Sequence, residues 1–403
     1  MPNQYGFRPD HSTTHALIDL VGQITKSINN KSMALGVFLD LSKAFDSLDI
    51  DKLLAKLYHY GVRGKSFDWF SSYLKNRKLF VSYDNSSSQI YEITHGVPQG
   101  SVLGPLLYII YTNDLSFNLK YSNSILFADD STILCTGKKI KDIIPKITHD
   151  LNILIDWFYA NKLTLNISKT SCILFKSKTT RINSAEIKLK FGLEKIIVKK
   201  TTKFLGFEID QHLNWDNHIK QLITKINKNL YLLRCFKKLL PNWSKRMLYF
   251  NYIHSNLTYG LSVWGPMASQ LEKNKLFKLQ KKAVRTIENA KQDCPSAPLF
   301  KKYKILRFND LINLEILKTA YNLVHESLPI PLNNLFQQNN FNHQYNTRNA
   351  KNPRVAPHKS KVYHSSIFAK LPIAWQNTPN SVKNSNSIQN LINKFKKLTI
   401  SEY

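Results

Sequence analysis

Asp129 and Asp130 stand together inside an apolar, β-favouring run, with Ser124-Ile125-Leu126-Phe127 before them and Thr132-Ile133-Leu134 after. Read as a hairpin, the run puts both acids on the tight turn, anchored by an apolar arm on each side. Consecutive side chains diverge along a strand, so the two carboxylates cannot share one job equally. One can face a cleft and hold a metal ion while the other braces it or binds more loosely. A solvated turn is the commoner use of an Asp-Asp pair, so the pair alone does not decide. A third acid adds weight. Residues 33–41, Met-Ala-Leu-Gly-Val-Phe-Leu-Asp-Leu, read as a buried strand whose C-terminal end delivers Asp40.

Charge gives the background to these acids. The 403 residues carry a net charge of +30, from 57 Lys and Arg against 27 Asp and Glu. Residues 211–403 hold 30 of those bases and 8 of those acids, so the C-terminal half is the basic one. An excess of this size repels itself unless a polyanion is near, which makes nucleic acid the first partner to consider. Carboxylates gathered on such a chain would repel phosphate unless divalent metal inverts the local charge. Mg²⁺ takes one or two carboxylates plus phosphate oxygens. Two such ions about 3.5–4 Å apart clamp the attacking and leaving oxygens of an in-line phosphoryl transfer. A basic groove with an acidic, metal-loaded centre points to an enzyme acting on nucleic-acid backbones.

Other classes fit poorly. Cys135, Cys172, Cys235 and Cys294 form no Cys-x-x-Cys pair, so neither a zinc module nor a disulfide framework is expected. His11 and His15 are four apart, but Ser12 stands where a zincin needs Glu. Gly64-Lys65-Ser66 resembles the end of a P-loop, yet position 59 is His and no apolar strand precedes it. The N-terminus shows no signal pattern. The most apolar run, 102–111, is broken by Gly104-Pro105 and too short for a bilayer. No membrane partner and a soluble, intracellular protein are expected.

The elements that must position the acids follow from periodicity. A helix starts after Ser12 or Thr13, with Leu17, Leu20, Val21 and Ile24 on one face. After Asp40 the chain turns through Ser42–Asp46 into a helix near 50–60, a helix at 67–74 and a hairpin at 78–93. The loop Gly96-Val97-Pro98-Gln99-Gly100-Ser101-Val102-Leu103-Gly104-Pro105 then leads to an apolar helix, 106–111; such Gly/Pro-rich loops let backbone approach a ligand. Residues 140–160 read as an amphipathic helix covering a sheet, and 169–175 and 203–209 each as a further strand. From 211 the period is helical. Ile219, Leu222, Ile223, Ile226, Leu230 and Leu233 form a stripe, with further helices near 244–258, 271–289 and 308–327. Residues 332–346 are Asn/Gln-rich and read as loop or linker, and the basic tail carries one helix near 387–398.

Taken in order, Phe38-Leu39-Asp40-Leu41-Ser42-Lys43-Ala44-Phe45-Asp46, the Gly96–Pro105 loop and Phe127-Ala128-Asp129-Asp130 resemble the palm of a reverse transcriptase. The form Phe-Ala-Asp-Asp is similar to that of the non-LTR (LINE-type, jockey-like) retrotransposon polymerases. Gln4-Tyr5-Gly6-Phe7-Arg8 with Ser12-Thr13 resembles the block these enzymes carry just before the palm, Lys203-Phe204-Leu205-Gly206 their primer-grip strand, and Tyr259-Gly260 through Trp264-Gly265 a segment of their thumb. The resemblance spans roughly residues 3 to 290.

The resemblance implies an α+β right-hand polymerase: a palm of antiparallel sheet with packing helices, partial fingers, then a helical thumb and C-terminal region. Residues 1–32 would be a remnant of the fingers, 33–210 the palm with a fingers insertion at about 50–93, 211–330 thumb and connection, and 331–403 the tail. Asp40, Asp129 and Asp130 would hold two Mg²⁺ ions, with Mn²⁺ as the alternative. Phe45 would exclude a 2′-hydroxyl from the incoming sugar. Gln99 and Gly100 would lie near nucleotide and template. Lys169 would donate a proton to leaving pyrophosphate, and Phe204, Leu205 and Gly206 would grip the primer. Asp46 is expected to be a structural cap. The partners would be an RNA template, a DNA primer and dNTPs, in the nucleus.

Members of this group normally carry an endonuclease and longer fingers before the palm, so this chain is expected to be a truncated open reading frame. Two hypotheses follow: an RNA-directed DNA polymerase, or a catalytically impaired nucleic-acid-binding fragment of one. An intron-maturase-like factor shares the palm, with no feature of its own here.

Overall fold

The computed structural model describes residues 3–182, 186–338 and 352–403. The chain divides into two compact units, one made of Met1–Ser12 and Ser32–Lys200, the other of Thr13–Lys31 and Thr201–Tyr403. Residues 1–32 are therefore not one piece. Helix α1 (Thr13–Asn29) starts where expected but belongs with the second unit, because Leu17, Leu20, Val21 and Ile24 bury their apolar face there.

In the first unit, β1 (Met33–Leu39) is buried at every position, which explains an apolar run without alternation. The segment after it turns into α2 (Ile50–His59) and α3 (Lys65–Leu74). Asp49 caps α2, its carboxylate accepting from the Lys52 N–H at 2.9 Å. The hairpin expected at 78–93 is a nested pair: β2 (Arg77–Leu79) with β5 (Tyr91–Ile93), and between them β3 (Ser82–Tyr83) with β4 (Ser86–Ser87). Helix α4 (Leu103–Tyr111) begins three residues earlier than expected, since Pro105 is tolerated in a first turn. Then come β6 (Asn123–Phe127), β7 (Asp130–Gly137), α5 (Ile140–Ala160) and β8 (Ser171–Phe175).

After β8 a short hairpin, β9 (Lys190–Phe191) with β10 (Glu194–Lys195), precedes β11 (Ile197–Val198). The sheet order is β11-β8-β1-β7-β6. Its pairings are antiparallel except that β11 runs parallel to β8. The connection between those two strands is long enough to bring the chain back in the same direction, which a tight turn cannot do. Helix α5 shows why its sequence is amphipathic. Ile143, Ile147, Leu151 and Leu154 are fully buried in one cluster with Leu35, Val37, Ile133 and Cys172 of the sheet. Asp150, on the same helix, is also fully buried; it accepts from the backbone N–H groups of Lys120 and Tyr121, both at 3.0 Å, and so anchors the entry to β6.

In the second unit, residues 203–209 are not one strand. β12 (Thr201–Phe204) and β13 (Phe207–Asp210) pair as a hairpin through Leu205-Gly206. Both turn residues have positive φ, +47° and +81°, the pattern of a type I′ turn, whose Leu is unusual enough to hide it from the sequence. Helix α6 (Asp216–Cys235) buries the expected stripe, with Ile223 half-buried at its margin.

Helices α7 (Asn242–Leu248), α8 (Ser255–Thr258), α9 (Leu261–Met267), α10 (Gln270–Glu288), α11 (Ala297–Lys302) and α12 (Phe308–Val324) follow, with a π-helical turn at Tyr249–His254. The Asn/Gln-rich stretch begins with helix α13 (Ile330–Asn333) and the short strand β14 (Gln337–Gln338), which pairs with β15 (Pro353–Arg354); residues 339–351 lie outside the described residues. Where one helix was expected, the described residues from 361 onwards hold α14 (Lys361–Ser365), α15 (Ile367–Asn377), α16 (Asn380–Lys383) and α17 (Ile388–Ser401). Pro372 inside α15 masks its helical signal. Among the described residues no helix is long and apolar enough to cross a membrane.

Candidate active site

The acids lie at one end of the sheet. Register pairs Leu39 with Ser131 and Phe127 with Asp130, so Asp40 leaves β1 beside the residue that opens β7. Ala128 and Asp129 form the two-residue turn; Ala128 has φ +54° and is buried, while Asp129 and Asp130 are exposed. Asp130 remains open to solvent on one side. Crowding by protein, and then the negative charges of Asp129 and Asp40, push its carboxyl up to about 6. Asp130 therefore feels both its neighbour in the turn and Asp40, which comes from a strand remote in sequence.

The backbone after Asp40 is tied to the segment that leads to β8. The Asn166 N–H donates to the Asp40 carbonyl at 2.8 Å, and the Asp40 N–H to Thr170 Oγ1 at 3.4 Å. That segment also carries Lys169, whose ammonium stands 3.8 Å from an Asp40 carboxylate oxygen. Lys169 is exposed and Asp40 only partly buried, so solvent screens the pair and keeps it weak.

The Gly96–Pro105 loop is laid against the turn that follows Asp40. The Gly96 N–H donates to the Leu48 carbonyl at 2.7 Å, and the Val97 N–H to the Phe45 carbonyl at 3.0 Å. A Cβ on Gly96 would stand 2.8 Å from Asp46 Cα, so no larger residue allows this approach. Asp46 is not the cap of α2, a role that Asp49 takes; instead its carboxylate accepts from Gln99 Nε2 at 2.8 Å. Phe45 is half-buried, its ring 4.7 Å from that of Tyr108 and 6.3 Å, edge-on, from that of Phe7. Gly100 is exposed at the tip of the loop. Asp40, Phe45, Gln99, Gly100, Asp129, Asp130 and Lys169 thus belong to one unit.

Phe204, Leu205 and Gly206 belong to the other. Their turn is held by Tyr259, whose hydroxyl donates to the Leu205 carbonyl at 2.7 Å and whose ring stacks on Phe207 at 4.5 Å. A cavity of about 480 Å³ beside it is lined by Gly206, His218, Gln221, Lys225, Asn256 and Tyr259.

Two residues at the acidic end were given no role from sequence. Tyr108 is fully buried, and burial together with the charges of Asp129 and Asp130 raises its phenol. Its hydroxyl has no hydrogen-bond partner among the described residues. Gln4 is buried against the acidic turn. A tyrosine on an apolar helix reads as core, and in the sequence Gln4 reads only as part of the block before the palm, with no role of its own.

Among the described residues no three His, Cys, Asp or Glu side chains form a metal cage by themselves. The donor set of carboxylate oxygens nonetheless suits Mg²⁺, which keeps waters and takes phosphate oxygens beside one or two carboxylates.

Residues 1–209 match the family model described as reverse transcriptase (RNA-dependent DNA polymerase). The "Probable RNA-directed DNA polymerase from transposon BS" of Drosophila melanogaster is 30% identical over 311 residues, covering 73% of this chain and 33% of that protein. The RNA-directed DNA polymerase from the mobile element jockey of the same organism is 28% identical over 306 residues, covering 71% and 32%. The chain thus spans about a third of the length of these relatives. Among solved structures, a Candida tropicalis telomerase in complex with a fragment of telomeric RNA is 12% identical, with a TM-score of 0.42, over 98% of this chain and 53% of that one. With its family model covering more than half of its residues and jockey-type polymerases among its relatives, the chain belongs to the reverse transcriptase (RNA-dependent DNA polymerase) family.

Proposed function

We propose that this chain is the polymerase core of a mobile-element RNA-directed DNA polymerase, adding deoxynucleotides to a primer 3′-hydroxyl on an RNA template. The observation that carries the reading is the strand register that brings Asp40, at the end of β1, beside Asp130, which opens β7, with Asp129 in the adjoining turn, in a chain of net charge +30. Such carboxylates would hold two Mg²⁺ ions, which when bound neutralise charge on the attacking and leaving oxygens. The rest is positioning by the chain's own side chains. Phe45, backed by Tyr108, presents a rigid ring that cannot satisfy a 2′-hydroxyl and so selects deoxyribose. Gln99, held by Asp46, keeps its loop beside that ring, with Gly100 at the tip open to nucleotide and template. Lys169 stands next to Asp40 with an ammonium able to give a proton to departing pyrophosphate. The turn of Phe204, Leu205 and Gly206 would grip the primer. A nuclear place of action goes with this reading and is tested by imaging a tagged chain.

Primer extension on an RNA template with Mg²⁺ tests the proposal, comparing the parent with Asp129→Ala. Template-dependent extension that disappears in the variant supports it. Salt-sensitive RNA binding without extension by the parent would leave only a nucleic-acid-binding fragment.

A further inference from the structure

The acidic turn is held from outside its own hairpin. Ala128 sits at φ +54°, a conformation that residues with a Cβ rarely adopt without support. The support comes from residues more than a hundred positions earlier. Backbone around Gln4 runs parallel to β6, with the Leu126 N–H donating to the Asn3 carbonyl at 2.9 Å and the Tyr5 N–H to the Leu126 carbonyl at 2.8 Å. This adds a short rung to the outer edge of β6 and brings Gln4 level with the turn. Gln4 is 1% exposed, and its side-chain oxygen accepts two backbone N–H groups, that of Gly6 at 2.7 Å and that of Ala128 at 3.1 Å. Gly6 makes the approach possible. A Cβ there would stand 2.4 Å from the Ala128 nitrogen and 3.1 Å from the Phe127 carbonyl carbon. Arg8 holds the segment from its other side by donating to the Gln4 carbonyl at 3.1 Å.

We propose that Gln4 is a positioning residue for the acidic turn: its side-chain oxygen, locked by Gly6, holds Ala128 in its left-handed conformation and thereby sets the directions of Asp129 and Asp130. A buried acceptor shared by two N–H groups resists rotation, because releasing it strands both donors away from water. A turn clamped in this way presents its two carboxylates in one arrangement, which a site working by positioning requires. The catalytic part of the inference rests on the polymerase reading above; the clamp itself does not.

The test uses the full chain with Gln4→Met, which keeps the side-chain length and removes the amide acceptor, and Gln4→Asn, which keeps the amide and withdraws it. In the metal-free protein, exchange of the Ala128 amide, followed by NMR, should rise at least about tenfold in both variants. Exchange at Val37 in β1 should stay at the parental rate, which separates local release from general loosening. In primer extension, kcat per folded molecule should fall about tenfold or more, with KM for dNTP within about twofold of the parent. Should Gln4→Met fail to fold, Gln4→Asn carries the test. Parental exchange at Ala128 in a folded variant overturns the clamp. Raised exchange with unchanged kcat overturns its catalytic role. If the parent extends no primer, the polymerase reading fails while the exchange measurement still decides whether Gln4 holds the turn.

Discussion

At the scale of single residues, the acidic end of the sheet is a set of specific contacts with specific consequences. Phe45 packs on Tyr108 and edge-on against Phe7, and the sugar selection proposed for its ring would be steric. Phe45→Val should narrow the preference for dNTP over rNTP by roughly ten- to two-hundredfold, the range over which a hydrophobic pocket discriminates by shape. Single-nucleotide incorporation kinetics with both substrates measure it, and an unchanged ratio would remove Phe45 from sugar selection. Tyr108 buries a hydroxyl that has no partner among the described residues, a state that costs about 1–3 kcal/mol. Tyr108→Phe should therefore raise the denaturation midpoint or leave it in place; a clear fall would show that the hydroxyl is satisfied in solution.

At the scale of elements, the sheet end is only as firm as the helix beneath it and the segments that brace it. Leu151 is fully buried where α5 meets the sheet, and Leu151→Ala should cost about 2–5 kcal/mol in urea unfolding, because the site cannot collapse around the lost atoms. A loss below about 1 kcal/mol would mean that α5 is not packed on the sheet as described. The second unit carries its own pH sensitivity. Burial pushes His218 down to about 4, and His254 likewise, the latter helped by the charges of Lys396 and Lys318. An unfolded imidazole binds its proton near pH 6.5. Between about 6.5 and about 4 the unfolded chain therefore takes up protons that the folded chain refuses. The stability contributed by these neutral rings is complete above that window and falls as pH drops through it. Thermal melts from pH 7 to pH 4 should show His218→Gln losing less stability over the window than the parent, by up to one proton's worth of slope; parallel curves would contradict a neutral, buried His218.

At the scale of the whole molecule, charge dominates. A net charge of +30 on 403 residues, concentrated after residue 211, predicts RNA binding that weakens steeply with salt, each phosphate neutralised adding about 0.7 to the steepness of the log–log slope for a single strand. Titrations between 50 and 200 mM salt (conditions of the order used to define such slopes) should give a steep negative slope with Asp129→Ala as with the parent, since the proposed role of that residue is in chemistry rather than in affinity. A flat salt dependence would rule out a phosphate-tracking role for the basic half.

Much of this was legible in the residues alone. An apolar run ending in Asp40, a second interrupted by Asp129-Asp130 and a Gly/Pro-rich loop between them are local patterns, and local patterns report backbone period and family order faithfully. The tertiary structure decided what depends on register between distant segments: that Asp46 holds Gln99 rather than capping α2, and that Lys169 comes to Asp40. It also decided that residues 203–209 fold back at Leu205-Gly206, that α1 joins the helical unit, and that the oxygen of Gln4 reaches Ala128. Periodicity names the face a side chain occupies, but which group it meets there is set by how sheet and helices pack, and a single sequence does not encode that pairing in any local signal.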